Sequence, residues 1–558
     1  VLGSDTASFL AVTRSLGRRG IDVHIGWCPR EAPAAHSRYV RRVHRLPSPS
    51  DDRWTEALAE LMTVEGFDLV VPTNAPTLIP LQRARSELEP FGRLCLLDDR
   101  AFEVTFDKIK TRQLAVAQGV NVASGWVVRG QAEIDAALKA ATYPLVIRPQ
   151  TAFSFDDLDR RNSARRVDDE GSAREAIHER LRRGLVLVEQ SVTGVGWGLG
   201  VLAARGEIVL SQQHERLHEL PHDGGSCYCR TVPRDQAFMQ SVIRLVRELD
   251  YTGVAMFEFR GDPAGRWVLT EITGGFWDSL PLALAAGADF PYALWQLLVD
   301  GLGDFDDYYR IGVHGRDLKR DLKWAWLNAR ADRDGRAAEP VPLKQVAVDV
   351  ARVVRRDEHA DQFVLDDPRP GLVALRHLGL TLIDLLRSRF IGGTLLQRRH
   401  RRRARRAIAD AQTILFVCYG NICRSPFAAG LVRRIAPSSL EVHSAGTLDL
   451  EAKHCPSIAR EISREFGVEL DGHRSQPVTA ELVERADAIF AFDQRNRRVL
   501  QRRHPEARRK LHLIGALGDG PLIVDDPING SEHDFRRAYS AISDALRQGL
   551  LGSKKGRP

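Results

Sequence analysis

The 558-residue sequence is poor in cysteine. Its seven cysteines, at positions 28, 95, 227, 229, 418, 423 and 455, are too few and too scattered for a disulfide framework, which points to a reducing, cytoplasmic setting. Long apolar runs are missing too. The most apolar stretch, from Gly371 to Leu396, is interrupted by Arg376, His377, Asp384, Arg387 and Arg389 and cannot span a bilayer. Residues 1–20 read as a strand end, a loop and a helix rather than a secretory leader, and no internal repeat recurs. Nor does one sign of charge dominate. Lys+Arg 80 against Asp+Glu 73 leaves +7, and residues 398–406 alone carry seven arginines. The rest is balanced, so no nucleic-acid-binding surface is expected over the folds. What is present is ordinary globular usage, 43% apolar and 27% charged, in a length suited to about three or four domains.

Residues 1–100 alternate apolar strand patterns, such as Ile21–Ile25 and Phe67–Pro72, with helical ones, such as Trp54–Met62. Such alternation indicates a parallel, doubly wound sheet. Residues 101–300 mix helices with longer strands, among them 143–148, 185–190, 199–203, 207–211, 254–260 and 267–272. Residues 301–397 are mainly helical. The arginine run follows, and from Thr413 to about Leu551 strand and helix alternate again; the tail Ser553–Pro558 is expected to fray.

The sharpest chemistry lies at the start of that last segment. The β-rich run Thr413–Cys418 leads into Tyr419, Gly420, Asn421, Ile422, Cys423, Arg424, Ser425 and Pro426, and Phe427, Leu431, Val432 and Ile435 then recur at helical spacing. A cysteine thus ends a strand, and an arginine follows five residues later at a helix N-terminus. Ser425 before Pro426 predicts an N-cap with Pro at the first helical position. Such a loop turns backbone N–H groups inward, binds an oxyanion with help from the helix dipole, and favours the thiolate. Arg424 grips two phosphate oxygens with its planar fork, Gly420 lets the loop bend, and Asn421 braces it in a left-handed conformation. The nucleotide-binding pattern G-x-x-x-x-G-K-[ST] is absent here. An acid for the leaving oxygen is offered by Val524-Asp525-Asp526-Pro527, a carboxylate on a Pro-fixed turn.

On these residues the segment 413–550 resembles the low-molecular-weight protein tyrosine phosphatases. Ser444-Ala-Gly-Thr447, His473-Arg-Ser475, Phe492-Asp493 with Asn496, and Asp526-Pro527 match further landmarks in the right order. The resemblance implies that Cys418 is the nucleophile, Arg424 the transition-state clamp, and Asp526 the acid that later activates water. It also implies that Ser425 eases thiolate departure, that Asn421 orders the loop, and that Cys423 is a second thiol able to protect Cys418 as a disulfide. No metal is implied. Ile528-Asn529 stand where members acting on phosphotyrosine often carry aromatics, leaving Tyr419 as the aromatic of the pocket. Ile422 replaces the threonine of related arginine phosphatases. Arsenate reduction, which the same fold hosts, is a minor alternative because the domain adds only Cys455 as a relay thiol.

In the middle of the chain, Arg148 ends the strand Tyr143–Arg148, and Leu185–Gln190 is another buried strand. Glu258 and Glu271 lie on two strands forming a hairpin, and paired carboxylates suit Mg2+ bridging nucleotide phosphates. Asp107-Lys108, Gly119-Val-Asn-Val, the Pro144–Pro149 strand, the His214–Ser226 segment, Gly253–Glu258 and Glu271-Ile272 together resemble ATP-grasp enzymes of the carbamoyl-phosphate-synthase-like, carboxylate–amine ligase type. Residues 1–100 would be the Rossmann-like domain preceding the grasp. The resemblance implies ATP held by Lys108, Arg148, Glu189 and Gln190, the last two through backbone groups. It further implies Mg2+ on Glu258, Glu271 and Thr273, and small carboxylate and amine substrates. Arg148 replaces the usual lysine, and Glu271-Ile-Thr273-Gly274-Gly275 replaces Glu-x-Asn-Pro-Arg, which favours ATP binding over turnover. Cys227-x-Cys229 has no partner pair and reads as alternating strand residues.

The sequence therefore describes an α/β multidomain chain. A Rossmann-like domain over 1–100 precedes an α+β ATP-grasp domain over 101–300. A helical connector with a basic linker covers 301–411, and a doubly wound phosphatase domain covers 412–552. Its partners are a phosphorylated protein or small phosphomonoester, and ATP. The run 398–406 reads first as a solvated linker and second as a dock for anionic lipid. An N-terminal part that senses nucleotide to tune the phosphatase is the alternative to a working ligase.

Overall fold

The computed structural model describes residues 1–4, 6–49, 51, 53–154, 157–182, 184–220, 225–262, 266–334, 358–390, 395–448, 452–528 and 532–552. It divides into two compact units, Val1–Phe155 with Arg161–His377, and Asp156–Arg160 with Leu378–Pro558. Among the described residues no single helix is long and apolar enough to cross a membrane. The tail Ser553–Pro558, and residues 221–224 of the His214–Ser226 segment, lie outside the described residues.

The first unit opens with a fragmentary parallel sheet. Val23–Gly26 pairs with Val40–His44 in parallel, and single parallel bridges join Leu2 to Gly26, Leu2 to Pro72 and Val70 to Leu94. The expected Phe67–Pro72 strand is thus reduced to bridges around the buried Val70 and Val71. An antiparallel four-stranded sheet follows, in the order Gly125–Val128, Val186–Gln190, Leu145–Pro149, Arg165–Val167. The largest sheet has seven strands: Trp267–Gly274, Gly253–Gly261, Val195–Ala204, Glu207–Glu219, Ser226–Thr231, His314–Arg316 and His359–Ala360. The hairpin expected around Glu258 and Glu271 is present, and its register sets these two residues directly opposite each other. Cys227 and Cys229 sit two apart on the strand Ser226–Thr231, both buried.

The second unit holds an all-parallel sheet in the order Glu441–Gly446, Thr413–Cys418, Ala488–Ala491, Leu511–Leu513. Alternation along the strands sends Ile414, Phe416, Cys418 and Phe490 to one face, where the helices Arg424–Ile435, Ser457–Glu465 and Glu532–Gly552 cover them. Leu415, Val417, Ile489 and Ala491 go to the other face, against Ala480–Arg485 and Gln494–Arg503. Both faces are buried, as doubly wound sheets require.

The arginine run is not a linker. It forms the helix Leu395–Asp410, whose Ala404 and Ile408 are buried in the same core as Phe416. Arg405 Nε donates to the Leu517 carbonyl (2.8 Å), and its Nη2 lies 2.9 Å from Asp519 Oδ1. Arg401 Nη2 donates to the Gly520 carbonyl (2.9 Å). The helix therefore belongs to the second unit, and the basic residues hid its narrow apolar stripe.

Candidate active site

Cys418 ends its strand at the C-terminal edge of a parallel sheet, where open α/β sheets place their ligands. The chain then bends through a loop that enters the helix Arg424–Ile435. Asn421 turns the loop in the left-handed region, φ 55°. Four contacts hold it there. Its Nδ2 donates to Ser425 Oγ (2.9 Å) and Ser444 Oγ (3.0 Å), its Oδ1 accepts from the Gln476 N–H (3.0 Å), and its carbonyl accepts from His473 Nε2 (2.8 Å). Gly446 lets the neighbouring strand approach closely, because a Cβ there would stand 3.0 Å from the Tyr419 carbonyl oxygen.

The Cys418 sulfur accepts from the Asn421 N–H (3.3 Å) and lies 3.0 Å from Ser425 Oγ. Ser425 Oγ accepts from Asn421 Nδ2, and its own proton has two acceptors within reach, the sulfur at 3.0 Å and the Ala445 carbonyl at 3.4 Å. The structure thereby corrects one detail: Ser425 is not the helix cap. Cys423 occupies that position, and the Ser425 hydroxyl is drawn inward to the thiol.

Arg424 is 1% exposed, the largest fully buried side chain among the described residues. Its Nη1 donates to Asp493 Oδ2 (2.8 Å) and to the Val524 carbonyl (3.1 Å), and its Nη2 bonds Asp526 Oδ2. A buried guanidinium needs such carboxylates to offset its desolvation. Among the described residues its Nε has no partner, a buried donor suited to an oxyanion. Burial raises the Asp526 pKa; Arg424 opposes this and Asp493 reinforces it, leaving the carboxyl above its ordinary range. Burial also pushes the Cys423 thiol well up. All seven thiols are free, and Cys455 is buried near the other two of the domain. Tyr419 carries the Arg495 guanidinium over its ring, 4.1 Å from the centroid. Ile422 packs against the core and Gly420 lies between Tyr419 and the left-handed Asn421. Ile528 also packs there, whereas Asn529 lies outside the described residues.

Every phosphatase-type residue expected from sequence is therefore on this loop or against it. Asp493, which holds Arg424, and His473, Gln476 and Ser444, which hold Asn421, were not singled out as site residues. Ser444, His473 and Asp493 had only the landmarks at 444–447, 473–475 and 492–496 as a sequence signal, and Gln476 had none.

The first unit gathers its expected residues less completely. Lys108 Nζ lies 2.5 Å from Glu271 Oε1. Burial raises the Glu271 pKa, but Lys108 and Arg148 outweigh it and bring the carboxyl below its usual range. Glu258 faces Glu271 across the ladder and is held by Arg216 Nη2 at 2.5 Å. Thr273 is two residues along from Glu271 on the same face, opposite Met256. Arg148 Nε donates to Glu189 Oε2 (2.9 Å), and Arg112 Nη1 to Glu189 Oε1 (3.0 Å). The backbone reading of Glu189 is corrected, because this residue pairs with Gly125 on one side and Val146 on the other. Its side chain, not its main chain, is the group engaged with cations. Gln190 gives its N–H to the Ser124 carbonyl (2.8 Å) and leaves its side chain exposed.

Strand, anion loop and helix, with a thiol at one end and a buried arginine at the other, define a cysteine-dependent phosphatase fold. The family model of the low molecular weight phosphotyrosine protein phosphatases matches residues 413–555, and through this segment the chain belongs to that family. It is 36% identical over 135 residues to the probable low molecular weight protein-tyrosine-phosphatase EpsP of Ralstonia solanacearum, covering 24% of this chain and 86% of that protein. It is 34% identical over 135 residues to the phosphatase Wzb of Escherichia coli K12, covering 24% of this chain and 90% of Wzb. The crystal structure of an L-amino acid ligase from Bacillus licheniformis overlaps 56% of this chain and 77% of its own, at 20% identity and a TM-score of 0.45. An overlap of that quality leaves the ligase reading to the residues themselves.

Proposed function

We propose that the second unit hydrolyses phosphotyrosine-type monoesters, on a protein or a small molecule, through a phosphocysteine. The observation that carries this is Arg424, buried, with Nε unpartnered, at the far end of a loop whose other end is the Cys418 sulfur bonded to Asn421 and Ser425. Cys418, as thiolate, attacks phosphorus while the ester oxygen leaves with the Asp526 proton. Water then gives a proton to Asp526 and attacks the phosphocysteine, and the sulfur departs as thiolate, eased by the Ser425 hydroxyl. Arg424 meets the charge that develops on the equatorial oxygens. Asp493 orients it through Nη1, while Nη2 exchanges Asp526 for a phosphate oxygen when substrate binds and so frees the acid. The raised pKa of Asp526 supports its role as acid, because it keeps the proton nearer neutrality. Tyr419, stiffened by Arg495, lines the pocket against an aryl group. Hydrolysis of para-nitrophenyl phosphate tests this: Cys418→Ser abolishes it, and a full rate in that variant would remove the nucleophile.

For the first unit we infer an ATP-binding, Mg2+-dependent, ligase-like module. Glu258 and Glu271, opposite each other on one face of the hairpin, offer the hard oxygen ligands Mg2+ requires. Lys108 and Arg148 bring cations to the same place and draw the Glu271 carboxyl below its usual range, which supports this reading. Bound Mg2+ would neutralise charge between nucleotide phosphates; Lys108 and Arg216, which now hold the two carboxylates, would turn toward phosphate or away. Thr273, Gly274 and Gly275 favour the second reading, nucleotide sensing, since this strand end presents neither an amide nor a guanidinium. Screening carboxylate and amine pairs for substrate-dependent ADP release separates the two. Nucleotide binding with no such release leaves the sensor.

A further inference from the structure

Away from both sites, three elements of the first unit bring two imidazoles and a carboxylate together. His24 lies on the strand Val23–Gly26, His44 ends the parallel strand Val40–His44, and Glu65 ends the helix Trp54–Glu65. One ligand atom from each lies within 4.8 Å of the other two. His24 Nδ1 is 2.9 Å from His44 Nε2 and 3.7 Å from Glu65 Oε2. We propose that His24, His44 and Glu65 bind one first-row divalent transition metal ion, Zn2+ or a chemical equivalent, independently of the nucleotide's Mg2+.

The distances carry the argument. Metal bonds of about 2.0–2.2 Å in a tetrahedron place neighbouring donor atoms roughly 3.3 Å apart. The two separations, 2.9 and 3.7 Å, lie on either side of that value, and the third, between His44 and Glu65, is within 4.8 Å, so rotamer adjustments complete the site. The rings now share an Nδ1–Nε2 hydrogen bond, which the ion would replace with loss of its proton. They stack with centroids 5.0 Å apart and planes 24° from parallel, and Phe67 meets both edge-on, at 5.3 and 6.3 Å. Glu65 is fixed as well, because Arg42 Nη1 donates to its other oxygen, Oε1, at 2.7 Å. The guanidinium steers the carboxylate and leaves Oε2 for the ion, as groups behind metal ligands commonly do. Arg42 itself is 65% exposed and free to move away from a cation. Two imidazoles select Zn2+, Co2+ or Ni2+ over Mg2+, which prefers oxygen alone. Three protein ligands on a half-buried patch leave a fourth position to water, and the ion would clip the two parallel strands to the end of the helix.

The test is titration of the full chain with Co2+ in excess Mg2+, read by visible absorption. One equivalent with the strong bands of a four-coordinate ion and no thiolate charge-transfer band is expected, together with a higher melting temperature in Zn2+. His44→Asn should weaken binding by about tenfold or more, and Glu65→Gln by less. Absence of a stoichiometric site, or undiminished binding in His44→Asn, overturns the proposal. Should His44→Asn fail to fold, X-ray absorption of the zinc-loaded wild-type chain decides. Two imidazole nitrogens with oxygen support the site, and a sulfur-rich shell overturns it.

Discussion

Asn421 offers a quantitative test of the phosphatase loop, because a single side chain there supplies both bonding and backbone conformation. Replacement by Ala removes three hydrogen bonds, two donated to Ser425 and Ser444 and one accepted from the Gln476 N–H, all in a residue with no exposed surface. At about 1 kcal/mol each this costs roughly 3 kcal/mol. Ala also fits poorly at φ 55°, which adds about 1 kcal/mol. The loss is therefore about 4 kcal/mol, or a fall of roughly 8–16 °C in the melting of a domain of about 150 residues. Gly at the same position loses the same bonds but adopts the left-handed conformation freely. Its greater freedom when unfolded returns about 0.5–1 kcal/mol of that gain, so Asn421→Gly should melt level with Asn421→Ala or up to about 2 °C above it. Calorimetry of the full chain reads this, taking the phosphatase transition as the one raised by inorganic phosphate. Both variants should also lose para-nitrophenyl phosphate turnover, since the loop loses its brace. An alanine variant melting within 2 °C of the wild type, on the order of 1 kcal/mol or less, would refute the role given to Asn421. So would a glycine variant melting below it.

Other consequences follow from single contacts. Ser425→Ala leaves the thiolate without its hydroxyl donor and should slow phosphocysteine breakdown more than its formation; rapid-quench kinetics showing both steps slowed equally would contradict this. Burial, with His400, Arg497 and Arg403 adding to it, lowers the His512 pKa to about 4. The folded state thus binds fewer protons there than the unfolded one. The resulting stability is complete above pH 6.5 and is lost as pH falls toward 4, by up to about 3 kcal/mol. The phosphatase transition should fall through that window, and His512→Leu should flatten the fall. Lys108→Ala should weaken binding of MgATP by about tenfold in calorimetric titration, the scale of one charge-assisted contact; an unchanged affinity would place the nucleotide elsewhere.

The loop was legible in the sequence because its chemistry is contiguous: cysteine, five residues, arginine and serine between an apolar strand and an amphipathic helix. What stabilises the loop was not legible. Asp493 reaches Arg424 and His473 reaches Asn421 across long stretches of chain, and only the folded sheet brings them together. The Ser425 cap was misread because a serine before proline ordinarily caps, and only the folded loop shows the thiol competing for its hydroxyl. Val40–His44 escaped notice since three of its five residues are charged or imidazole and the strand lies at a sheet edge. The helix Leu395–Asp410 was hidden by its arginines, with Ala404 and Ile408 too sparse a stripe to outweigh them. In the first unit, the alternation of strands was enough for the Glu258–Glu271 hairpin. Nothing local announced that Arg216 would hold Glu258 or that Arg112 would share Glu189.

The central claim is a covalent phosphoryl group on Cys418. Mass spectrometry of the Asp526→Ala chain, acid-quenched during turnover of para-nitrophenyl phosphate, addresses it directly, because this variant lacks the base for the second step. The account predicts one added phosphoryl group, mapped to the peptide holding Cys418 and absent from the Asp526→Ala, Cys418→Ser double variant. Turnover with an unmodified Cys418 at every quench time, or the same label surviving in the double variant, would contradict it.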